Sequence, residues 1–180
     1  MIYLGIDPGK LGGVVALDIE GNALVAHTTP LDDSGDYNLR EMFGILEDLT
    51  VGFGNDEPTA GLEVLRPFSG GGVKDGREKA RRAAPKTIFE MGRGRGLWQM
   101  ALAACGIPCM DVEPKAWRRS MILPIGSRKE SKPEITRLAL LRWPQLCYEI
   151  GDRSESGVAD AACIADYVRR ECAITERQRL

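Results

Sequence analysis

The stretch that most limits the architecture is the N-terminal "MIYLGIDPGKLGGVVALD", Met1 to Asp18. An apolar run from Ile2 to Ile6 delivers one carboxylate, Asp7. Pro-Gly and a Gly-Gly pair follow before a second apolar run begins at Val14. Pro presets φ and Gly accepts φ > 0, so Asp-Pro-Gly reads as the turn between two strands of a hairpin. A second reading makes Asp7 a metal ligand at the end of a central strand, and it requires partners elsewhere in the chain.

With 180 residues and 43% hydrophobic content, the chain is expected to form one globular domain with a full core. No run approaches the roughly 18 apolar residues of a membrane helix, and the N-terminus has neither a basic region nor a signal h-region. A soluble, non-secreted protein without a membrane partner is expected. The five cysteines (105, 109, 147, 163 and 172) include no Cys-x-x-Cys pair and lie in apolar segments, which reads as reduced core thiols. His27 is the only histidine, so zinc is disfavoured. Oxygen ligands point instead to magnesium or manganese.

A net charge of −2 argues against a nucleic-acid partner, but its distribution argues for one. Leu31 to Glu63 holds nine acidic residues against Arg40 alone. Arg66 to Arg95 holds nine basic residues against three acidic, and Lys115 to Lys132 six against one. Such blocks can be solvated faces. Two separated basic loops in an otherwise acidic chain fit a local phosphate-binding surface better. The candidate contacts are Lys74, Arg77, Lys79, Arg81, Arg82, Arg93 and Arg95 in the first block, and Lys115, Arg118, Arg128 and Lys129 in the second. "GRGRG" (Gly92 to Gly96) reads as the opening of a helix, whose N-terminus favours a phosphate.

The expected element order is β-β-β-α-β-α-β-α-α. Strands fall near 2–6, 13–19 and 23–28. Leu39, Met42, Phe43, Leu46 and Leu49 mark an amphipathic helix over Asn38 to Leu49. "TAGLEVL" is a strand, "GLWQMALAACG" a helix closed by Gly106, and "IPCMDV" a short strand. "KPEITRLALLRW" is a helix stopped by Pro144, and "SGVADAACIADYVRRE" is the last, with Ser156 as N-cap. Ser69 to Lys86 reads as mobile. The sum is an α/β fold, a mixed five-stranded sheet flanked by helices. Asp7 on strand one and Glu63 on strand four then meet at one sheet edge if those strands are parallel neighbours, and Asp160 approaches from the last helix. Side-by-side carboxylates repel, and a divalent cation resolves the repulsion. Two such ions about 4 Å apart activate a water and stabilise the leaving oxygen of a phosphodiester.

Five blocks in order, "LGIDPGKLGG", "GLEVLRPF", "GRGRGLWQMALAACGIPCMDVEPKAWRR", "SKPEITRLALLRWPQL" and "SGVADAACIADY", resemble a RuvC-type Holliday junction resolvase of the ribonuclease H-like superfamily, nearest its phage and organellar branch. The resemblance covers nearly the whole chain. It implies a single nuclease domain over 1–180 with a mobile basic loop at about 66–95, located in the cytoplasm of a bacterium or phage-infected host or in an organellar matrix. It also implies a homodimer that nicks branched DNA, four-way junctions above all, using Mg2+ or Mn2+, two ions per site. By similarity Asp7, Glu63 and Asp160 fall on three of four acidic metal positions. The fourth is Glu155, with Asp152 in reserve, because Gly157, Val158 and Ala159 stand where the family carries another acid. Lys132 matches a family lysine preceding the fourth block's helix, where an ammonium neutralises the scissile phosphate or helps deliver water. Phe68 lies near the family's base-unstacking wedge.

Leu97, Trp98, Met100, Ala101, Leu102, Ala104 and Cys105 are apolar around nearly the whole circumference of their helix. One face is expected to cover the sheet and the other to meet a twofold mate, with Trp98 or Leu102 facing outward. Trp117 reads more as core than as contact. Two other functions fit parts of the pattern. "GIDPGKLGG" also resembles the phosphate-binding hairpin of actin-like sugar kinases, although that fold requires a duplicated domain. A non-catalytic junction-binding scaffold is the other.

Overall fold

The computed structural model describes residues 1–52, 57–64, 85–121, 128–151 and 156–179. Strands β1 (Ile2–Asp7), β2 (Gly13–Leu17), β3 (Ala23–Thr28), β4 (Pro58–Glu63) and β5 (Cys109–Val112) form one sheet in the order β3-β2-β1-β4-β5. The first three pair antiparallel, and β1, β4 and β5 run parallel. This is the expected mixed five-stranded sheet.

Side-chain alternation sorts the strands into two cores. Ile2, Leu4 and Ile6 of β1, Val14 and Ala16 of β2, and Ala60 and Leu62 of β4 pack with α1 (Leu39–Gly52) and α2 (Pro85–Ala104). Tyr3, Val15, Leu17 and Val112 pack on the opposite face with α6 (Gly157–Arg179). That second core also takes residues of α3 (Pro114–Ser120), α4 (Arg128–Arg142), a 3-10 turn (Pro144–Leu146) and α5 (Cys147–Ile150). The odd positions of β1 and β4 therefore face α6.

Helix α6 lies unusually close to that face. A Cβ on Gly5 would fall onto the Ala161 carbonyl and the Ala165 amide, and one on Gly157 onto the backbone of Leu11 and Gly12. Small residues on both sides let two backbones meet without intervening side chains. Ser156 caps the helix as expected, its Oγ accepting from the Val158 N–H at 3.2 Å.

Several expectations need correction. Helix α2 starts at Pro85, eleven residues before Gly96, so "GRGRG" lies inside a helix and offers no helix N-terminus. Gly94 is instead a packing position, where a Cβ would meet the Tyr37 hydroxyl and the Pro8 carbonyl. Positions 85–95 are thus helix rather than loop, and 65–84 lie outside the described residues. Trp98 and Leu102 do not face outward: at 0% and 1% exposure they fill the α1/α2 core. The outward face of α2 carries Phe89 and Met100, 67% and 69% exposed, with open space over Gly92 and Gly96. Lys132 lies within α4 rather than ahead of it. Helix α3 had no counterpart in the sequence reading. The five cysteines are free, but only Cys163 is a buried core thiol; Cys109 and Cys147 are exposed. Among the described residues no helix is long and apolar enough to cross a membrane.

Candidate active site

The sheet register assembles the site. Ile6 pairs with Leu62 in the parallel β1–β4 ladder, so Asp7 and Glu63, one residue further along each strand, stand side by side on the α6 face. Adjacent strands are about 4.8 Å apart, which forces the two acids together. Asp160, in the first turn of α6, is buried at 3% exposure. The glycine-lined approach of α6 brings it to the same sheet edge.

Each acid is held differently. Asp7 Oδ1 accepts the Gly9 N–H at 3.3 Å, so the Asp-Pro-Gly segment is a turn and a carboxylate mount at once. Glu63, 6% exposed, accepts at Oε1 from the Trp117 indole Nε1–H at 3.0 Å. Burial, reinforced by the negative charge of Asp7 and then Asp160, pushes the Glu63 carboxyl up to about 7; the Trp117 bond and the nearby Arg118 charge work the other way. The Arg118 guanidinium lies 5.0 Å from the Trp117 ring centroid. Lys132 Nζ stands 3.6 Å from Asp160 Oδ2, so that sequence candidate does join the cluster.

The donor set suits a hard divalent cation. It offers carboxylate oxygens only, without thiol or imidazole, and a Glu63 carboxyl that burial and the neighbouring acids push up to about 7. Among the described residues, no three potential ligands are already drawn together at ligation spacing. Glu155 and Asp152 lie outside the described residues.

The other sequence candidates scatter. Arg93 forks onto Asp36, with both N···O distances 2.7 Å, and holds that carboxyl well below its usual range. Arg95 pairs with Asp111. Both thus pair with a carboxylate of this chain. Lys115 is exposed on α3 and Arg118 half-buried beside Trp117. Arg128 and Lys129 open α4, with side chains outside what is described. Phe68, Lys74, Arg77, Lys79, Arg81 and Arg82 all lie outside the described residues. The sequence reading missed the role of Trp117 because an indole N–H finds its partner through tertiary structure; "KAWRR" carries no periodic signal for it.

No protein-family model and no curated protein matches the sequence. Solved structures do match. Thermus thermophilus RuvC aligns over 96% of this chain and 97% of that one, at 16% identity and a TM-score of 0.56. T. thermophilus RuvC in complex with a Holliday junction substrate aligns over 96% of both chains, at 15% identity and a TM-score of 0.55. The fold is RuvC-like, of the ribonuclease H type. At these identities the likeness extends to the fold alone.

Proposed function

We propose that this protein is a divalent-metal-dependent, structure-selective endonuclease that nicks branched DNA, with the four-way junction as its principal substrate. The observation that carries the proposal is the meeting of Asp7, Glu63 and Asp160 at one sheet edge, with Lys132 beside Asp160. The RuvC-like fold supports it, since one of the matched structures is a complex with a Holliday junction substrate. Placement in the phage and organellar branch rests on the sequence blocks alone.

Asp7, Glu63 and Asp160 would hold the metal, as two ions, with Glu155 as the fourth acid. When bound, divalent ions supply Lewis-acid activation of the attacking water and neutralise charge on the departing oxygen. The protein's own contribution is positional. The Gly9 N–H and the Trp117 indole set the orientation of Asp7 and Glu63, and second-sphere bonds of this kind hold ligands in place before any ion arrives. Lys132 brings an ammonium to the acidic edge, where it would attract the scissile phosphate.

Two cuts on symmetric strands call for two such sites, and a twofold dimer provides them. The exposed face of α2, with Phe89 and Met100 flanking Gly92 and Gly96, is the proposed interface in place of Trp98 and Leu102.

The test is purified protein with four-way junction, fork and linear duplex, with and without Mg2+ or Mn2+. Cation-dependent nicking of the junction is expected. Asp7→Asn should abolish it while leaving junction binding intact, and wild-type cutting by that variant would overturn the metal-site reading. Junction binding without cutting by the wild type would favour the scaffold reading. ATP hydrolysis without DNA cleavage would favour the actin-like one.

A further inference from the structure

Asp166 lies six residues beyond Asp160 on α6 and is 1% exposed. It gathers three guanidiniums. Arg142 Nη2, at the end of α4, meets Oδ1 at 2.9 Å, and Arg169 Nη2 meets the same oxygen at 2.8 Å. Arg170 Nη2 meets Oδ2 at 2.6 Å. One carboxylate offsets one of these charges, leaving about two in excess. Among the described residues no second acid forms an ion pair with any of the three.

One arginine already balances the Asp166 charge, and each further one adds like-charge repulsion. Here the repulsion is held in a fixed geometry. Arg169 Nη1 also donates to the Ile19 carbonyl at 3.1 Å, and Arg170 Nη1 to the Ser120 carbonyl at 3.3 Å. The Arg142 guanidinium lies over the Trp143 ring at 5.0 Å. The forks are thereby ordered before any partner arrives, which lowers the entropic cost of binding. The side chains of Arg142 and Arg170 are still 36% and 38% exposed. A guanidinium has five donors, and these two arginines use one and two of theirs within the chain. Unspent N–H groups on pre-ordered, exposed forks are what a phosphate takes up in bidentate fashion.

The cluster also connects to the acid site. Ser120, whose carbonyl holds Arg170, lies one helical turn after Trp117, whose indole holds Glu63. Exposed Arg119 stands between them in the chain. Helix α3 therefore touches both the acid site, through Trp117, and the arginine cluster, through Ser120.

We infer that the Asp166-centred arginines are a second phosphate site, which binds the backbone of a DNA arm at a distance from the bond that is cut. This rests on the DNA-binding reading above but not on the metal chemistry.

Junction and duplex binding should be measured by fluorescence anisotropy in EDTA, so that nothing is cut, over a range of salt. The proteins compared are the wild type, Arg142→Gln, and Arg142→Gln/Arg170→Gln, with Arg169 retained so that Asp166 keeps a partner. Each lost phosphate contact should reduce the log–log salt slope by about 0.9. The double variant should therefore lose nearly two units of slope and bind roughly tenfold to a hundredfold more weakly at about 0.1 M salt. The single variant should lose about one unit, and it carries the test alone if the double variant melts below the assay temperature. Unchanged slope and affinity in folded variants would overturn the inference. So would thermal stabilisation of the wild type by inorganic phosphate that vanishes in the variants while their DNA slopes stay at the wild-type value, since the site would then take free phosphate. A wild type that binds junctions with this arginine-dependent slope but never cuts them would overturn the nuclease proposal and leave this inference standing.

Discussion

Replacing Glu63 by Gln should stabilise the cation-free protein at alkaline pH while destroying the proposed activity. In the folded chain Glu63 keeps its proton up to about 7, against 4.5 for the ordinary carboxyl. Between these values the folded state holds a proton that the unfolded chain has released. Stability therefore falls as pH rises from about 4.5 to about 7, then levels off. A gap of roughly 2.5 pH units, at 1.36 kcal/mol each, amounts to about 3 kcal/mol. Gln removes the charge, keeps an Oε1 acceptor for the Trp117 indole, and places an amide donor beside Asp7. In EDTA, urea denaturation should find Glu63→Gln about 3 kcal/mol more stable than wild type at pH 8 and nearly equal to it at pH 4. A difference that stays constant across this range would refute the reasoning, as would a wild type more stable than the variant at pH 8. The cation gives the complementary half. A divalent ion that binds only the folded state stabilises by RT ln(1 + [L]/Kd). Millimolar Mg2+ or Mn2+ should raise the wild-type midpoint at pH 8 and leave that of Glu63→Gln nearly unmoved.

Three further perturbations probe the supports of the site. Trp117→Phe keeps a ring in the core but removes the Glu63 donor; a higher Mn2+ concentration should be needed to stabilise the fold, read as a thermal shift, and an unchanged Mn2+ titration would dismiss the positioning role. Gly5→Ala inserts a methyl where α6 lies on the sheet and should cost about 3 kcal/mol in urea denaturation, with nicking reduced even at temperatures where the variant is folded; a loss under about 1 kcal/mol would mean that α6 adjusts freely. Met100→Arg on the outward face of α2 should give monomers by light scattering without lowering the melting temperature of the monomer unit, and a variant that stays dimeric would move the interface elsewhere.

The sheet was legible because its strands are short apolar runs punctuated by glycine and proline, and such runs declare themselves locally. Asp7 stood out as a charge at the end of an apolar run, whereas Glu63 and Asp160 lie within apolar segments and were singled out through the strand order and the resemblance of the ordered blocks. Trp117 and Asp166 escaped because their roles depend on a partner 54 residues away in one case and on α4 in the other. Helix α2 misled because its apolar circumference suggested burial on two sides without saying which residues take which side. Gly94 settles that. Its close approach to Pro8 and Tyr37 turns Trp98 and Leu102, four and eight residues on, toward the same core.

The same small residues explain why fold and site cannot be separated here. Asp7 and Glu63 are neighbours because the parallel register pairs Ile6 with Leu62, and Asp160 comes near them because Gly5 and Gly61 put no side chain between the centre of β1 and β4 and helix α6. Gly157 meanwhile lets the helix start directly on the Leu11–Gly12 turn. Larger residues at these positions would bury more apolar surface, yet they would lift α6 and carry Asp160 away. Lower packing mass at the sheet centre is thus traded for a buried, mutually repelling set of acids, which costs stability in the absence of a counter-ion. A structural role alone gives no reason to keep that combination. The proposed cation binding would give one, because repulsion among the acids becomes affinity once an ion is held.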